Sequence, residues 1–380
     1  MRKDIIFAAF AVFTVLGPAV AKAEADKRWV HPRCKLLEST KNGPFIQLDD
    51  GSLMVVDSNV LRTSTDDGKT WSEPGPVIVG GMKLDHVGHV GQPLRTRNGT
   101  IVIIYLDFTG YKFSWDDQKR APKPDCKLEM WVIRSTDGGK TWVDRQRLLD
   151  GYNADFMGFI QTGAGPLVAT VEHLVPELGR WVCCSFVSKD EGKTWKRSNL
   201  IDLGGSGHHD GAVEPTVTEL RDGRLLMLIR TGFDQFWKAT SNDHGQYWRV
   251  IQPSGIDASS APGWLLRLRS GRLVLTWNRL KPEGATDHPK RWGGQAFEHP
   301  ASSYREELSI AFSEDDGQTW TDPVVIAREP GGQLAYPYIL ERRPGQLWVF
   351  TRYTFHKGGK PAPHLGVLVK EADFASNPKK

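Results

Sequence analysis

Chemistry in this chain is sought first among side chains that hold charge or move protons. Two histidine groups stand out: His86 and His89 in the run DHVGHVGQP, and His208-His209-Asp210 just before Glu214. Further along come Arg230, Arg305 and the two tyrosines of Leu334-Ala335-Tyr336-Pro337-Tyr338. A guanidinium stays charged at any working pH and can grip a carboxylate through two parallel N–H bonds. An imidazole working with a Tyr and an Arg can remove the proton next to a uronate carboxylate, or assist a hydrolysis. The H-x-x-H spacing of His86 and His89 invites a metal, but off a helix the two rings do not share a face, so no metal is assigned and no cofactor is implied. The plainer alternatives are loop histidines in structural hydrogen bonds, a Glu214–Arg230 ion pair and packed strand tyrosines.

These residues are scattered over the chain, so the fold must gather them. Its building unit is legible as an internal repeat. The pattern S-x-D-x-G-x-[T/Y]-W occurs at 64–71, 135–142, 188–195, 241–248 and 313–320, at irregular spacings of 71, 53, 53 and 72 residues. Ser and Asp side chains can bond backbone N–H groups two residues on, Gly supplies a positive φ, and the Trp anchors the turn on a sheet. Each copy follows an alternating stretch, such as Met130-Trp131-Val132-Ile133-Arg134, so each box is a hairpin turn between strands. A second hairpin, apolar strand, polar-Gly turn, apolar strand, precedes every box, and it occurs six times: 45–56, 92–106, 158–171, 215–229, 264–277 and 338–350. Six two-hairpin units of four short strands predict an all-β, six-bladed β-propeller. The last unit lacks a box, and residues 34–38 are expected to supply its outer strand. Inserts at 109–127 and 281–303 are polar and rich in Pro, Gly or charge, as loops over one face would be. In such a ring the inner strands converge on one axial mouth, and the functional groups are expected there, not at the boxes.

The N-terminus reads as a cleavable secretory leader: Arg2 and Lys3, an apolar run over 5–20 broken by Gly17-Pro18, then Ala21-Lys22-Ala23. The run is short and broken for a spanning helix. Cleavage after Ala23 would leave 24–380 as a single domain, periplasmic or secreted, with no stable membrane insertion. Losing Arg2, Lys3, Lys22 and Asp4 takes the formal charge from +4 to +2. That near-neutral balance, without a basic cluster, argues against nucleic acid as a partner. Of four cysteines, Cys34 and Cys126 could pair in an oxidising compartment, whereas Cys183 and Cys184 read as buried thiols on opposite faces of a strand.

The boxes resemble the Asp-boxes of the sialidase (neuraminidase) superfamily, and the resemblance spans nearly all of the chain after the leader. Two further stretches are similar to that family's site motifs. Glu214-Pro215 with Glu219-Leu220, Asp222-Gly223 and Arg230 follows the pattern E-P-x-V-x-E-L-x-D-G-x-L and a later Arg; Ala335-Tyr336 stands where the family carries A-Y-S. The resemblance implies that Tyr336 is the nucleophile (Tyr338 the fallback), that Glu214 tunes it, and that Arg230 and Arg305 hold the substrate carboxylate. The chemistry is coherent. An anionic nucleophile would be repelled by the carboxylate on a sialic acid's anomeric carbon, and a neutral Tyr assisted by Glu avoids this.

Two departures stand out. Lys41-Asn42-Gly43-Pro44 replaces the family's Arg-Ile-Pro, and the long loop that carries its acid is missing, leaving Asp57 as the nearby candidate. The reading is therefore an exported exo-acting glycoside hydrolase on a terminal acidic sugar, with an acidic glycan as its partner. The alternatives are a lyase or a uronate- or rhamnose-active enzyme centred on His86, His89, His208 or His209, and a non-catalytic carbohydrate-binding propeller.

Overall fold

Runs of β-branched and aromatic residues form the strands, and the most apolar of them are buried on both faces. In Ile101–Lys112 the first six residues, Ile-Val-Ile-Ile-Tyr-Leu, are all buried. That places such a strand inside a stack of sheets, whereas outer strands such as Arg249–Asp257 are mostly exposed. The computed structural model describes residues 27–57, 59–84, 91–288 and 291–375. The expected leader, like His86 and His89, lies outside the described residues.

The strands assemble as successive antiparallel meanders. Phe45–Gln47, Leu53–Asp57, Val60–Ser64 and Gly75–Pro76 form one four-stranded sheet. Val213–Glu219, Leu225–Arg230, Gln235–Ser241 and Arg249–Asp257 form another in the same order. Two central meanders are linked through a Leu128↔Tyr152 pair into a nine-stranded sheet. The first strands Phe45–Gln47, Gln92–Arg95, Gly158–Gln161, Val213–Glu219, Trp264–Arg267 and Gln333–Arg343 all contribute to the wall of one axial cavity of about 340 Å³. The architecture is propeller-like and nearly all β.

The core lies between sheets. Val168 and Cys183 of one meander pack against Val217, Met227 and Trp248 of the next, all nearly inaccessible. Each fully buried aliphatic side chain of this kind stabilises the fold by roughly 1.5–3 kcal/mol. Cys183 and Cys184 point into different clusters, as the alternation of a strand requires. Cys34 and Cys126 are not bonded to each other. Cys34 sits in the core beside Phe374, while the Cys126 thiol donates to the Ser114 carbonyl at 3.0 Å.

The N-terminal segment ties the end of the chain to its beginning. Lys35–Leu36 adds an edge strand to Gly366–Lys370, as expected. Trp29–Val30 adds a second, unexpected one to Val324–Arg328. The two inserts also form short strand pairs, Trp115–Asp116 with Ala121–Pro122 and Arg291–Trp292 with Ala301–Ser302. They meet over one face, where Arg120 donates to the Gly294 carbonyl at 3.1 Å and Trp115 Nε1 to Gln295 at 3.2 Å.

Each box joins the third strand of its sheet to the fourth. In the first, Ser64 Oγ accepts the Gly68 N–H and donates to Asp66, both at 2.8 Å. Asp66 in turn accepts the Thr70 N–H at 2.9 Å and its hydroxyl at 2.6 Å, and Trp71 Nε1 donates to the Gly68 carbonyl. The Asp reaches four residues on, not two. Two consecutive residues are left-handed, Asp67 (φ 60°) and Gly68 (φ 81°); a Cβ on Gly68 would also sit 2.6 Å from Ser39 Oγ.

Candidate active site

Strand register brings four distant residues into one place. Val213–Glu219 pairs with Leu225–Arg230 through Val213↔Arg230, then slips by one residue before Thr216↔Leu228. The slip is a β-bulge containing Glu214 and Pro215, and Pro215 has no ladder N–H to lose there. Glu214 takes a left-handed conformation, φ 43°, and so does Tyr336, φ 57°. Neither residue favours that region, so the surrounding structure imposes it, as happens at functional sites. Arg305 lies just ahead of Glu307–Ser313. Asn278, fully buried, donates to both the Glu307 and the Leu334 carbonyls, at 2.8 and 2.7 Å, and so fixes the strands that carry Arg305 and Tyr336.

The Tyr336 hydroxyl donates to Glu214 Oε1 at 2.6 Å. Arg230 Nη1 donates to Glu214 Oε2 at 2.6 Å and reaches the Tyr336 hydroxyl at 3.3 Å. Ser260 bridges the two arginines: its hydroxyl accepts from Arg230 Nε at 3.0 Å, and its carbonyl from Arg305 Nη2 at 2.6 Å. The Arg305 guanidinium stacks 5.0 Å from the Trp292 ring and 5.7 Å from that of Tyr336. All four predicted residues are thus gathered, and Glu214, Arg230 and Arg305 are at most 7 % exposed.

Burial sets the electrostatics. It pushes the Tyr336 hydroxyl well above the usual tyrosine range, with the Glu214 charge adding to it. Burial opposes the Arg230 charge, but Glu214 and Tyr336 outweigh it and hold the group above its ordinary value. Among the described residues Arg305 has no carboxylate in an ion pair with it, and burial lowers it. Among the described residues, Arg230 Nη2 and Arg305 Nε have no hydrogen-bond partner although both are shielded. Two cationic groups with unused donors make a site for an anion.

Glu214, Arg230 and Tyr336, with Arg305 behind them, border a cavity of about 480 Å³ whose lining does not include Arg305, within the range of small-molecule sites. Glu214, Arg230 and Tyr336 form its polar wall; Phe108, Tyr111, Phe113, Tyr152 and Trp181 form an aromatic one. His208 and His209 line it too, their Nδ1 atoms 2.6 Å apart. Burial, then Arg230, lowers His209 to about 3, so its ring is neutral. Tyr338 is elsewhere: it packs in the core with its hydroxyl on the Phe45 backbone. Asp57 does not border this cavity. It pairs with Lys41 at 2.5 Å and Arg62 at 3.6 Å in an adjoining cavity of about 290 Å³, which shares Tyr353 with the first.

Sequence reasoning missed several neighbours. Tyr353 packs its ring 4.3 Å from that of Tyr336, and Asp155, 3.7 Å from Arg352, raises the Tyr353 hydroxyl. Asp155 and Glu172 line the cavity, and Trp292 comes from the second insert. Strand alternation alone marks Glu172 as odd, a charge directly after the mostly apolar run Leu167-Val168-Ala169-Thr170-Val171 and fully within the buried part of the strand.

The profile of the BNR repeat-like domain family matches residues 114–349, well over half of the chain. A sialidase from Micromonospora viridifaciens is 26% identical over 321 residues, which are 79% of this chain and 46% of that protein. A sialidase from Bacteroides fragilis is 23% identical over 301 residues, 73% of this chain and 50% of that protein. The chain spans about half the length of these relatives. Among solved structures, a Trypanosoma rangeli sialidase in complex with 2,3-difluorosialic acid aligns with a TM-score of 0.57 at 16% identity, covering 91% of this chain and 60% of that one. A Dyadobacter fermentans protein of unknown function aligns at 0.58 and 20% identity, covering 90% and 100%. With the boxes, the propeller-like fold and the matched profile in agreement, the chain belongs to the BNR repeat-like domain family, within the sialidase superfamily.

Proposed function

We propose that this chain is an exported, sialidase-like exo-glycoside hydrolase acting on a terminal acidic sugar, built as one six-bladed ring from residue 24 onward. The observation that carries the reading is the Tyr336–Glu214 hydrogen bond of 2.6 Å beside two buried arginines with unused donors. Arg230 and Arg305 hold the substrate carboxylate. The Tyr336 oxygen attacks the anomeric carbon while its proton passes to Glu214, and the bond to the leaving oxygen breaks. Asp155, inside the cavity, protonates that oxygen in preference to Asp57, which is held by Lys41 and Arg62 one cavity away. Water then enters, Asp155 takes its proton, and Tyr336 leaves with the proton returned from Glu214. Six inner strands around the axial cavity support the blade number, and Ala21-Lys22-Ala23 supports export.

The histidine-centred lyase reading is weaker. A ring lowered to about 3 is a poor base for a carbon-bound proton, and His209 is already bonded to His208.

The test is release of a chromogenic aglycone from a sialoside, with uronides and rhamnosides beside it, followed by trapping with 2,3-difluorosialic acid. A labelled peptide containing Tyr336 supports the reading. Turnover of uronic polysaccharide to an unsaturated product replaces it with the lyase, and binding without turnover replaces it with a carbohydrate-binding propeller.

A further inference from the structure

The bulge that carries Glu214 is gripped from the neighbouring sheet by two side chains on one face of Leu167–Val175. Thr170 Oγ1, fully buried, donates to the Pro215 carbonyl at 2.7 Å. Two residues on, Glu172 Oε2 accepts the Glu214 N–H at 2.7 Å. The grip falls on the two residues that form the slip in the ladder, one of them at φ 43°. A peptide N–H turned away from its own ladder needs an acceptor, and a buried N–H left without one costs about 1–3 kcal/mol. Glu172 is the acceptor supplied.

We propose that Glu172 is a positioning residue: as a neutral carboxylic acid it clamps the left-handed bulge, and so aims the Glu214 carboxylate at Tyr336 and Arg230. It acts through Glu214, whose N–H its Oε2 holds, while its Oε1 is shielded although the residue lines the cavity. The inference rests on the reading of Tyr336 and Glu214 as the reactive pair.

Neutrality follows from the surroundings. Glu172 is 1 % exposed, its Oε1 has no partner among the described residues, and Arg230 is already engaged by Glu214. An ionised carboxylate with one donor, next to a second carboxylate, is an expensive arrangement in a dry interior. The groups that face it are Glu214, Arg230 and Asp155, with Cys183 opposite it in the ladder and Tyr152 nearby. Burial, then the Glu214 charge, pushes the Glu172 carboxyl well above the usual carboxylate range. Glu172, with one donor, is the carboxyl of the two that keeps its proton, whereas the Glu214 carboxyl faces the donors of Tyr336 and Arg230.

Three variants test this: Glu172→Leu, Glu172→Gln and, for the other half of the grip, Thr170→Val. The infrared spectrum of the wild-type protein at neutral pH is expected to show the C=O stretch of a protonated carboxyl, absent from Glu172→Gln. The crystal structure of Glu172→Leu is expected to show Glu214 relaxed out of the left-handed region and its bond to Tyr336 broken. On a sialoside, Glu172→Leu should lower kcat by about 10²-fold, the cost of a displacement of about 1 Å. Gln, which keeps a neutral acceptor, should recover kcat to within about threefold and remove the alkaline limb due to Glu172 from the pH profile. Thr170→Val should give a smaller loss in the same direction. Absence of the infrared band, an unmoved Glu214 in Glu172→Leu, or a Gln variant as impaired as Leu each overturns the proposal. If wild type turns over no sialoside, the hydrolase reading fails by itself, and the spectrum and the variant structure still decide the role of Glu172.

Discussion

The box turns and the axial site use the same unusual backbone conformation for opposite reasons. In the boxes, Asp67, Glu191, His244 and Asp316 are left-handed one residue before a left-handed Gly. The turn that needs this is closed by its own Ser and Asp within a few residues, and it repeats around the rim. At the mouth, Glu214, buried, and Tyr336, half-buried, are left-handed inside strands, each occurring once. Nothing local asks for it there: the slipped ladder, the neighbouring sheet and Asn278 impose it. Strain that a short motif resolves is scaffold, whereas strain that needs partners a hundred residues away marks a place where side chains must point in one direction.

The comparison predicts that the mouth is fragile in activity and the rim in stability alone. The largest effect is expected from Tyr336→Phe, which removes one oxygen: a drop in kcat/KM on the order of 10³-fold or more, far beyond what the lost bond to Glu214 costs in stability. Glu214→Gln should fall in the same range. Loss of less than tenfold in either would place the nucleophile elsewhere, and Tyr353, against the same ring, would be the next candidate.

Arg230→Met comes next, because it strikes both properties. It removes the partner of a buried carboxylate, and breaking a pair of this kind costs about 3–5 kcal/mol. Denaturant unfolding should show that loss, and KM for an acidic substrate should rise. A variant with normal stability would mean that Glu214 finds another cation, Arg305 being the neighbour.

How far the sequence could be read follows the same division. The boxes are legible because the Ser and Asp bonds that close each turn lie within eight residues, so type and spacing are sufficient. Glu214, Arg230, Arg305 and Tyr336 are legible only through the family resemblance; no periodicity links residues 214 and 336. Asp57 stands out in sequence only through its closeness to the missing Arg motif, and the fold instead ties it to Lys41 and Arg62. Asp155, Glu172, Ser260 and Asn278 gave little signal, since each matters through a contact made across sheets, which one-dimensional spacing does not encode. Trp292 was hidden in an insert whose polar composition reads as loop.

On the rim, Ser188→Ala sharpens the contrast. Ser188 Oγ accepts the buried Gly192 N–H at 2.8 Å, and leaving that donor unmet should cost about 1–3 kcal/mol by urea unfolding. With four other boxes intact, kcat should be unchanged. A fall in kcat would show that the rim and the mouth are coupled.

The smallest effects are those of pH, and they separate the two regions by window. In the boxes, hydrogen bonds from the Thr side chain, the Thr backbone and the Ser hold Asp66 and Asp137 at about 2, below their ordinary 3.8. A depressed carboxylate contributes stability above its unfolded value, and that contribution is lost as pH falls from about 3.8 through about 2. At the mouth the sign of the charge differs but the direction is the same. His209 is held neutral down to about 3, so between about 6.5 and 3 the unfolded chain binds a proton that the native one refuses, and stability falls with pH across that window. Unfolding curves collected from pH 7 to pH 2 should therefore change in two stages, the upper one partly offset by Glu172, whose raised carboxyl gains stability as pH falls. His209→Gln should flatten the upper stage and leave the lower, while Asp66→Asn should lower stability above pH 4 and shrink only the lower stage. If His209→Gln leaves the upper stage intact, the imidazole is not the buried neutral group that the site requires, and the environment around Arg230 and Arg305 is wetter than these contacts imply.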